Sequence, residues 1–444
     1  MATTKATASA APNNFTSHFG FILACVGSAV GMGNIWMFPY RLGEYGGGAF
    51  LVPYILFIIL FSIVGLSAEF AIGRLARTGT LGSYEYCWRR VNQSRIGYLL
   101  GWIPLLGSLG IAIGYAVIVG WVVWAFANSL TGTLLTADAA AAFAQMTQPF
   151  GSLPWHAIVV IIAAAILISG VTAGIEKINK ILMPAFFVLF AFLAVWVAFL
   201  PDTAAGYSFM FTPHWEDLLK TDTWIMAMGQ AFFSLSITGS GMIVYGTYLS
   251  KTENIPRASI WTGVFDTLAA MLAALAIIPA VFSFGIEPDC GPTLMFITLP
   301  HIFARMPLGQ LFAVLFFLSV IFAGITSLIN MFEAVSESWQ NRFHLRRNTA
   351  VLFCAGLALF VGIFIEGAAN VGAWMDFVTI IIVPFGAVFG AVSFYYILGY
   401  KELRQELELG CSKPLPALFG LVARYLYVPL TVLIFILGIL YGGL

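Results

Sequence analysis

The sequence predicts an all-α polytopic membrane protein: two inverted repeats of five membrane spans, then an eleventh span. Three observations carry this. Of 444 residues, 60% are hydrophobic and 9% charged, whereas a soluble domain has about 25% charged residues. Apolar runs long enough to cross a bilayer core as helices recur from one end of the chain to the other. Two of these runs, the first and the sixth, are interrupted by small and hydroxyl residues where a membrane helix is expected to be continuous.

Residues 1–14 are rich in Ala, Thr and Ser and lack the apolar core of a signal sequence, so they read as a disordered cytoplasmic tail. Residues 15–200 are expected to form the first repeat, 201–399 the second, and 400–444 a cytoplasmic loop and the last span, all in one integral membrane domain. The spans are expected near 17–43, 47–73, 96–128, 153–172, 178–200, 222–249, 257–285, 307–340, 347–366, 370–399 and 418–441. Arg74, Arg77, Arg89, Arg90 and Arg95 follow span 2, and Lys177 and Lys180 lie between spans 4 and 5. Lys251 and Arg257 precede span 7, Arg342, Arg346 and Arg347 precede span 9, and Lys401, Arg404 and Lys413 precede span 11. The opposite loops hold little beyond Lys220 and Arg305. The positive-inside rule then puts the N-terminus in the cytoplasm and the C-terminus outside. The stretch from Lys401 to Leu409 is polar enough for a short surface helix. The five cysteines show neither metal spacing nor a pairing pattern. Only Cys290 falls on the outer side, so no intramolecular disulfide is expected. Zero net charge offers no footprint for a nucleic-acid partner.

Span 1 contains Gly27-Ser-Ala-Val-Gly-Met-Gly-Asn-Ile-Trp-Met-Phe-Pro39. An interior Gly costs a helix about 1 kcal/mol and an interior Pro about 3 relative to Ala. In lipid a freed carbonyl or N–H also finds no water. A span that breaks there puts its bare backbone to use, carbonyls for a cation and half-helix ends for an ionic solute. Span 6 breaks likewise, at Phe232-Phe-Ser-Leu-Ser-Ile-Thr-Gly-Ser-Gly241. The two breaks are five spans apart, so these spans run in opposite directions. That is the sequence trace of an inverted repeat with a site at its interface.

Few ionisable residues fall well inside spans: Glu69, Asp266 and Asp376, with Glu333 and Glu337 toward the inner end of span 8. Such residues are functional candidates by default. Glu69 reads first as structural, a carboxylate satisfying N–H groups of a broken helix. Asp266 reads as a ligand to a hard cation, which prefers oxygen donors, or as an acid facing a water-filled crevice. The run Ala323-Gly-Ile-Thr-Ser in span 8 offers two hydroxyls that either supply oxygens or back-bond to their own helix. No enzyme is expected, since there is no His pair at helical spacing, nucleophile elbow, phosphate-binding Gly loop or Cys–His cluster.

These motifs resemble the neurotransmitter:sodium symporter family, whose leucine-transporter-type fold is a known example of such inverted repeats. The matching residues are the span 1 motif from Gly27 to Trp36, Phe38-Pro-Tyr, Glu44, Gly46-Gly-Gly-Ala-Phe, and Glu69 with Gly73-Arg74. They continue with Tyr115, Gly120-Trp121, Ile175-Glu-Lys-Ile-Asn-Lys-Ile-Leu-Met-Pro184 and Phe232-Phe-Ser-Leu-Ser. Tyr245, Tyr248, Ala323-Gly-Ile-Thr-Ser and Met375-Asp-Phe377 complete the set. They fall in family order over spans 1 to 10. Many members have a twelfth span; this chain stops at eleven, as some bacterial members do.

The resemblance implies two sodium sites. The first would use the Ala29 carbonyl, Asn34, Ser234, Asp266 and the substrate carboxylate. The second would use the Gly27, Val30 and Ala323 carbonyls with the Thr326 and Ser327 hydroxyls. Substrate would lie against Ala29, Gly31, Met32 and Gly33 with its carboxylate on Tyr115. Ile111, Phe233, Ser234, Ser236, Gly239, Ser327 and Met331 would line the rest of the pocket. Gly31 stands where amine transporters of the family carry Asp, which favours a substrate with its own carboxylate.

The sequence also departs from the family. The Arg of the usual outer gate is Met37 here, so Asp376 needs another partner, Arg41 or a water. The usual inner gate falls on Pro12 and Asn341 and is missing, while the gating Tyr248 is retained. A bulky residue is replaced by Gly239, which implies more side-chain room. Gly174 and Pro184 bracket a stretch of span 5 expected to unwind.

The expected activity is therefore sodium-coupled, chloride-independent symport of a neutral, hydrophobic amino acid by alternating access in a bacterial inner membrane. No organic cofactor is expected, and membrane lipid is the other partner. The rival expectations are a sodium- or proton-coupled transporter of another small zwitterion, such as a betaine or taurine, and a substrate-gated sensor or channel.

Overall fold

The computed structural model describes residues 15–136, 138–285 and 294–443. The expected tail at 1–14, Pro12 and Cys290 lie outside the described residues. All the regular elements described are helical.

Span 1 is two helical pieces, His18–Ala29 and Gly33–Glu44, bent by 57° at the break. Span 2 is Gly48–Ala76, span 3 Ser94–Thr131, span 4 Leu153–Ile168 and span 5 Val171–Ala198. Span 6 is again two pieces, Thr221–Ser234 and Gly241–Thr247. Spans 7 to 9 are Ile255–Ser283, Gly309–Phe343 and Arg347–Ile363, and span 11 is Leu418–Tyr441. Span 10 runs from Ala368 to Gly399, whose φ of +96° and ψ of 142° break the helix. The short helix expected near 401–409 follows as a separate element, Tyr400–Glu408. It lies with Leu403, Glu406 and Leu407 buried on one face and Lys401 and Gln405 exposed on the other.

Among the described residues, four helices of eight or more residues outside the spans were not expected: Gly79–Arg89, Ala139–Met146, Ala204–Phe211 and Leu294–Arg305. Each lies between spans and is too short to cross a bilayer at 1.5 Å per residue.

The exterior and interior divide as a bilayer requires. On span 5, Val188, Phe192 and Val195 are exposed at helical spacing, and Phe186, Phe190, Leu193 and Val197 on the other face are buried. An apolar stripe open to the outside suits hydrocarbon and not water. Spans 1 and 6 sit within a shell in which span 3 packs along span 8 and span 5 packs on spans 7 and 8. The basic loops gather on one face. There Arg74, fully buried, donates to Glu406 Oε1 at 2.5 Å, to the Glu253 carbonyl at 2.7 Å and to the Ser250 carbonyl at 3.3 Å. It thereby joins span 2, the loop after span 6 and the helix Tyr400–Glu408.

The start of span 1 is fixed on span 5 at the same face. Ser17 caps His18–Ala29 by accepting from the Gly20 N–H at 3.0 Å. Its hydroxyl donates to Glu176 at 3.1 Å, and the Thr16 N–H and hydroxyl donate to the same carboxylate at 2.8 and 2.7 Å. Lys180 adds an ion pair at 2.6 Å.

Candidate functional site

The helix of span 1 ends where its side chains shrink. Val30 has an extended ψ of 112°, and helical structure resumes at Gly33. In span 6 the chain between Ser234 and Gly241 is not helical, and Ser236 and Gly239 take φ of +53° and +73°. Side-chain oxygens from neighbouring spans meet both breaks.

One cluster joins span 1, span 6 and span 7. The Asn34 amide donates to Asp266 Oδ1 at 2.7 Å and to Ser234 Oγ at 3.0 Å, and its oxygen accepts from the Gly31 N–H at 3.0 Å. Ser234 Oγ lies 3.0 and 2.8 Å from the two oxygens of Asp266. All three side chains are buried, so no water relieves the carboxylate and every neighbour bears on it. The set of a carboxylate, a hydroxyl and an amide is the hard-oxygen chemistry that suits a small cation.

A second cluster joins span 1 to span 8. Ser327 Oγ lies 3.0 Å from the Val30 carbonyl and 3.3 Å from those of Gly27 and Ser28. Thr326 Oγ1 lies 3.0 Å from the carbonyls of Phe322 and Ala323 on its own helix. The alternatives left open by the sequence thus divide between the two hydroxyls. Thr326 back-bonds to its own helix and Ser327 crosses to the carbonyls of the span 1 break.

Beside both clusters lies a cavity of about 540 Å³. Span 1 lines it with Ala29, Gly31, Met32 and Gly33, span 3 with Ile111 and Tyr115, span 6 with Phe233, Ser234 and Ser236, and span 8 with Ser327 and Met331. The Met32 N–H donates to Tyr115 Oη at 3.1 Å, which leaves the phenol its own proton to donate at the break. A Cβ at Gly31 would meet the Tyr115 and Ser327 hydroxyls at 2.5 and 2.7 Å, so any side chain there would have to displace them.

Gly239 is a correction. It is not among the residues lining the cavity. Its N–H donates to Glu69 Oε1 at 2.8 Å, and a side chain there would meet the Tyr84 hydroxyl, Pro104 and the Gly386 carbonyl. The missing bulk therefore adds no room for substrate. Glu69 acts as the structural carboxylate expected of it, holding a donor of the broken helix.

The two ends of the cavity differ. Toward the face opposite the basic loops it is lined by Met37, Tyr40, Glu44 and Asp376. Arg41 is not the partner of Asp376: it donates to Gln230 Oε1 at 3.2 Å, and Gln230 Nε2 holds the Gly33 carbonyl at 2.9 Å. Toward the basic face the path is filled. Tyr248 donates to Glu333 at 2.5 Å, and Arg347 grips both oxygens of Glu333 at 2.9 and 2.7 Å while holding the Leu167 carbonyl at 2.7 Å. Phe15 packs its ring on Phe21, Tyr245 and Tyr248. Asn341 bonds to Glu337. Gly174 lies in a wide helical turn over Val171–Glu176, and Pro184 lies within the helix Lys177–Ala198.

A central cavity between two broken spans, open at one face and sealed at the other, defines a membrane transporter of the discontinuous-helix class. The chain matches the sodium:neurotransmitter symporter family over residues 12–147 and 139–441. It is 36% identical to an uncharacterised sodium-dependent transporter of Bacillus subtilis over 73% of this chain and 72% of that one. It is 31% identical to one of Haemophilus influenzae over 80% and 78%. Among solved structures it resembles MhsT, crystallised with L-phenylalanine, at a TM-score of 0.84 and 31% identity over 96% of this chain and 99% of that one. The chain belongs to the sodium:neurotransmitter symporter family and is a sodium-dependent transporter, not an enzyme, with the leucine-transporter-type fold.

Proposed function

We propose that the protein couples two sodium ions to the uptake of a neutral amino acid with an apolar side chain, without chloride. The observation that carries this is the cavity beside the span 1 break. At one end lie the backbone of Gly31 to Gly33 and the phenol of Tyr115, suited to a carboxylate. Ile111, Phe233 and Met331 supply apolar wall, and no acidic side chain stands at Gly31 to select an amine. The phenylalanine in MhsT supports the same class of solute. The first sodium would lie among Ala29, Asn34, Ser234 and Asp266, touching the substrate carboxylate. The second would lie among Gly27, Val30, Ala323, Thr326 and Ser327.

Coupling is a linkage: sodium and substrate strengthen each other's binding to one state, and the gradient does work only through that shared preference. Substrate enters from the face of Asp376. Inward opening requires the Tyr248–Glu333 contact and the Phe15 plug to part. The gathering of basic loops supports an inner bacterial membrane with those loops and the N-terminus in the cytoplasm and the C-terminus outside. The test is uptake by proteoliposomes of a panel of labelled amino acids, betaine and taurine under an inward sodium gradient. Concentrative uptake of an apolar amino acid that vanishes when choline replaces sodium is expected. Equilibration without accumulation would overturn the reading in favour of a channel.

A further inference from the structure

Asn179 of span 5 has no part in the two sites above. Its side chain is fully buried, and its Nδ2 donates to the Ile175 carbonyl at 2.9 Å. A carbonyl can only accept, so this bond fixes which end of the amide is which. Oδ1 is thereby turned the other way, and it is a buried acceptor with no partner. It lies against the α-carbon of Gly27, in the place a Cβ at residue 27 would take, with the Thr326 side chain at the edge of the same space. Gly27 and Thr326 are two of the residues proposed to hold the second sodium. Burying a polar oxygen without a partner is costly, since its contacts to water are lost and nothing replaces them. Such an atom is kept where something supplies the missing contact.

The geometry points to Asn179 Oδ1 as a further oxygen ligand of the second sodium, contributed by span 5. This rests on the two-site reading above and deepens it. An amide oxygen is a hard, neutral donor of the same kind as the carbonyls around it. The cation would then tie three spans, 1, 5 and 8, where the residues assigned so far tie two. Asn179 stands midway between the wide turn holding Gly174 and Pro184, so unwinding of that stretch carries a ligand away from the ion. Loss of the ion and opening of span 5 become one event.

The experiment measures sodium-dependent thermal stabilisation of purified protein without substrate, and the sodium dependence of uptake in proteoliposomes. Asn179→Ala and the isosteric Asn179→Asp are compared with Ser327→Ala and wild type. Asn179→Ala is expected to raise the half-saturating sodium concentration at least about fivefold, the change for losing one neutral oxygen contact. Asn179→Asp, which keeps the oxygen and adds charge, is expected to lower it and carries the test if the Ala variant does not fold. If Ser327→Ala shifts sodium dependence and both Asn179 variants leave it within twofold of wild type, the assignment of Asn179 is overturned and the site stands. If Ser327→Ala also has no effect, the second-site reading falls and the Asn179 assignment with it.

Discussion

Replacing Asp266 by Asn tests how this transporter balances its sodium load. Asp266 is fully buried and accepts from Asn34 at 2.7 Å and from Ser234 at 2.8 Å. With a cation among these groups, two opposite charges at about 4 Å and an effective dielectric near 20 attract by roughly 4 kcal/mol. That corresponds to a ceiling near a thousandfold in affinity, at about 1.4 kcal/mol per factor of ten. The Asn amide keeps a dipole toward the ion, so a rise of roughly 10- to 100-fold in half-saturating sodium is expected for Asp266→Asn. If this fixed carboxylate takes the place of a bound halide, wild-type uptake is the same in sodium gluconate as in sodium chloride. The mutant, lacking the charge, recovers part of its loss when chloride is added. The assay is initial uptake for both proteins in both salts across a sodium titration. Wild-type uptake that collapses in gluconate would refute the reasoning.

Ser327→Ala combined with Thr326→Ala should raise the sodium requirement, and Ser327→Ala alone should account for most of it, since only Ser327 reaches the span 1 carbonyls; an unchanged sodium titration of uptake would remove both hydroxyls from the sodium site. Single cysteines at 175–182 should label poorly with a water-soluble reagent in sodium and readily without it; equal labelling would count against unwinding of span 5. Arg347→Met leaves the carboxylate of Glu333 buried and unpaired, so a loss of about 3–5 kcal/mol is expected, read as a large fall in Tm that Glu333→Gln in the same protein should partly restore.

What the sequence made legible is what depends on local backbone chemistry. Gly27, Gly31 and Gly33 with Asn34 and Pro39 announce a break because together they weaken one stretch of helix, and the small and hydroxyl residues from Ser234 to Gly241 announce the second. Among the described residues seven helices are long and apolar enough to cross a membrane, or eight with the bent pair of span 1, while Leu153–Ile168, Arg347–Ile363 and the two pieces of span 6 are shorter. What stayed hidden depends on which side chain a neighbouring helix presents. Arg347 reads in the sequence as one more charge on a basic loop, yet it reaches Glu333 and helps close the path. Gln230 is an unremarked polar residue in an apolar span, and it takes Arg41, one of the two partners expected for Asp376. Gly239 looks like added room and is instead walled in by Tyr84 and Pro104. Asn179 sits inside a quoted motif, but only packing turns its oxygen toward Gly27.

The bonds of Thr16 and Ser17 to Glu176 set a threshold for movement. The segment His18–Ala29 is 12 residues, about 18 Å at 1.5 Å per residue. As a lever pivoting at the break, it would carry its far end about 3 Å for a tilt of only 10°. That exceeds the slack of hydrogen bonds already spanning 2.7 to 3.1 Å, since such bonds weaken steeply past about 3.5 Å. The tether therefore ruptures at the outset of any swing instead of stretching along with it. Small excursions are resisted and large ones are not, which gives the lower half of span 1 the mechanics of a latch with a trip point and not those of a spring.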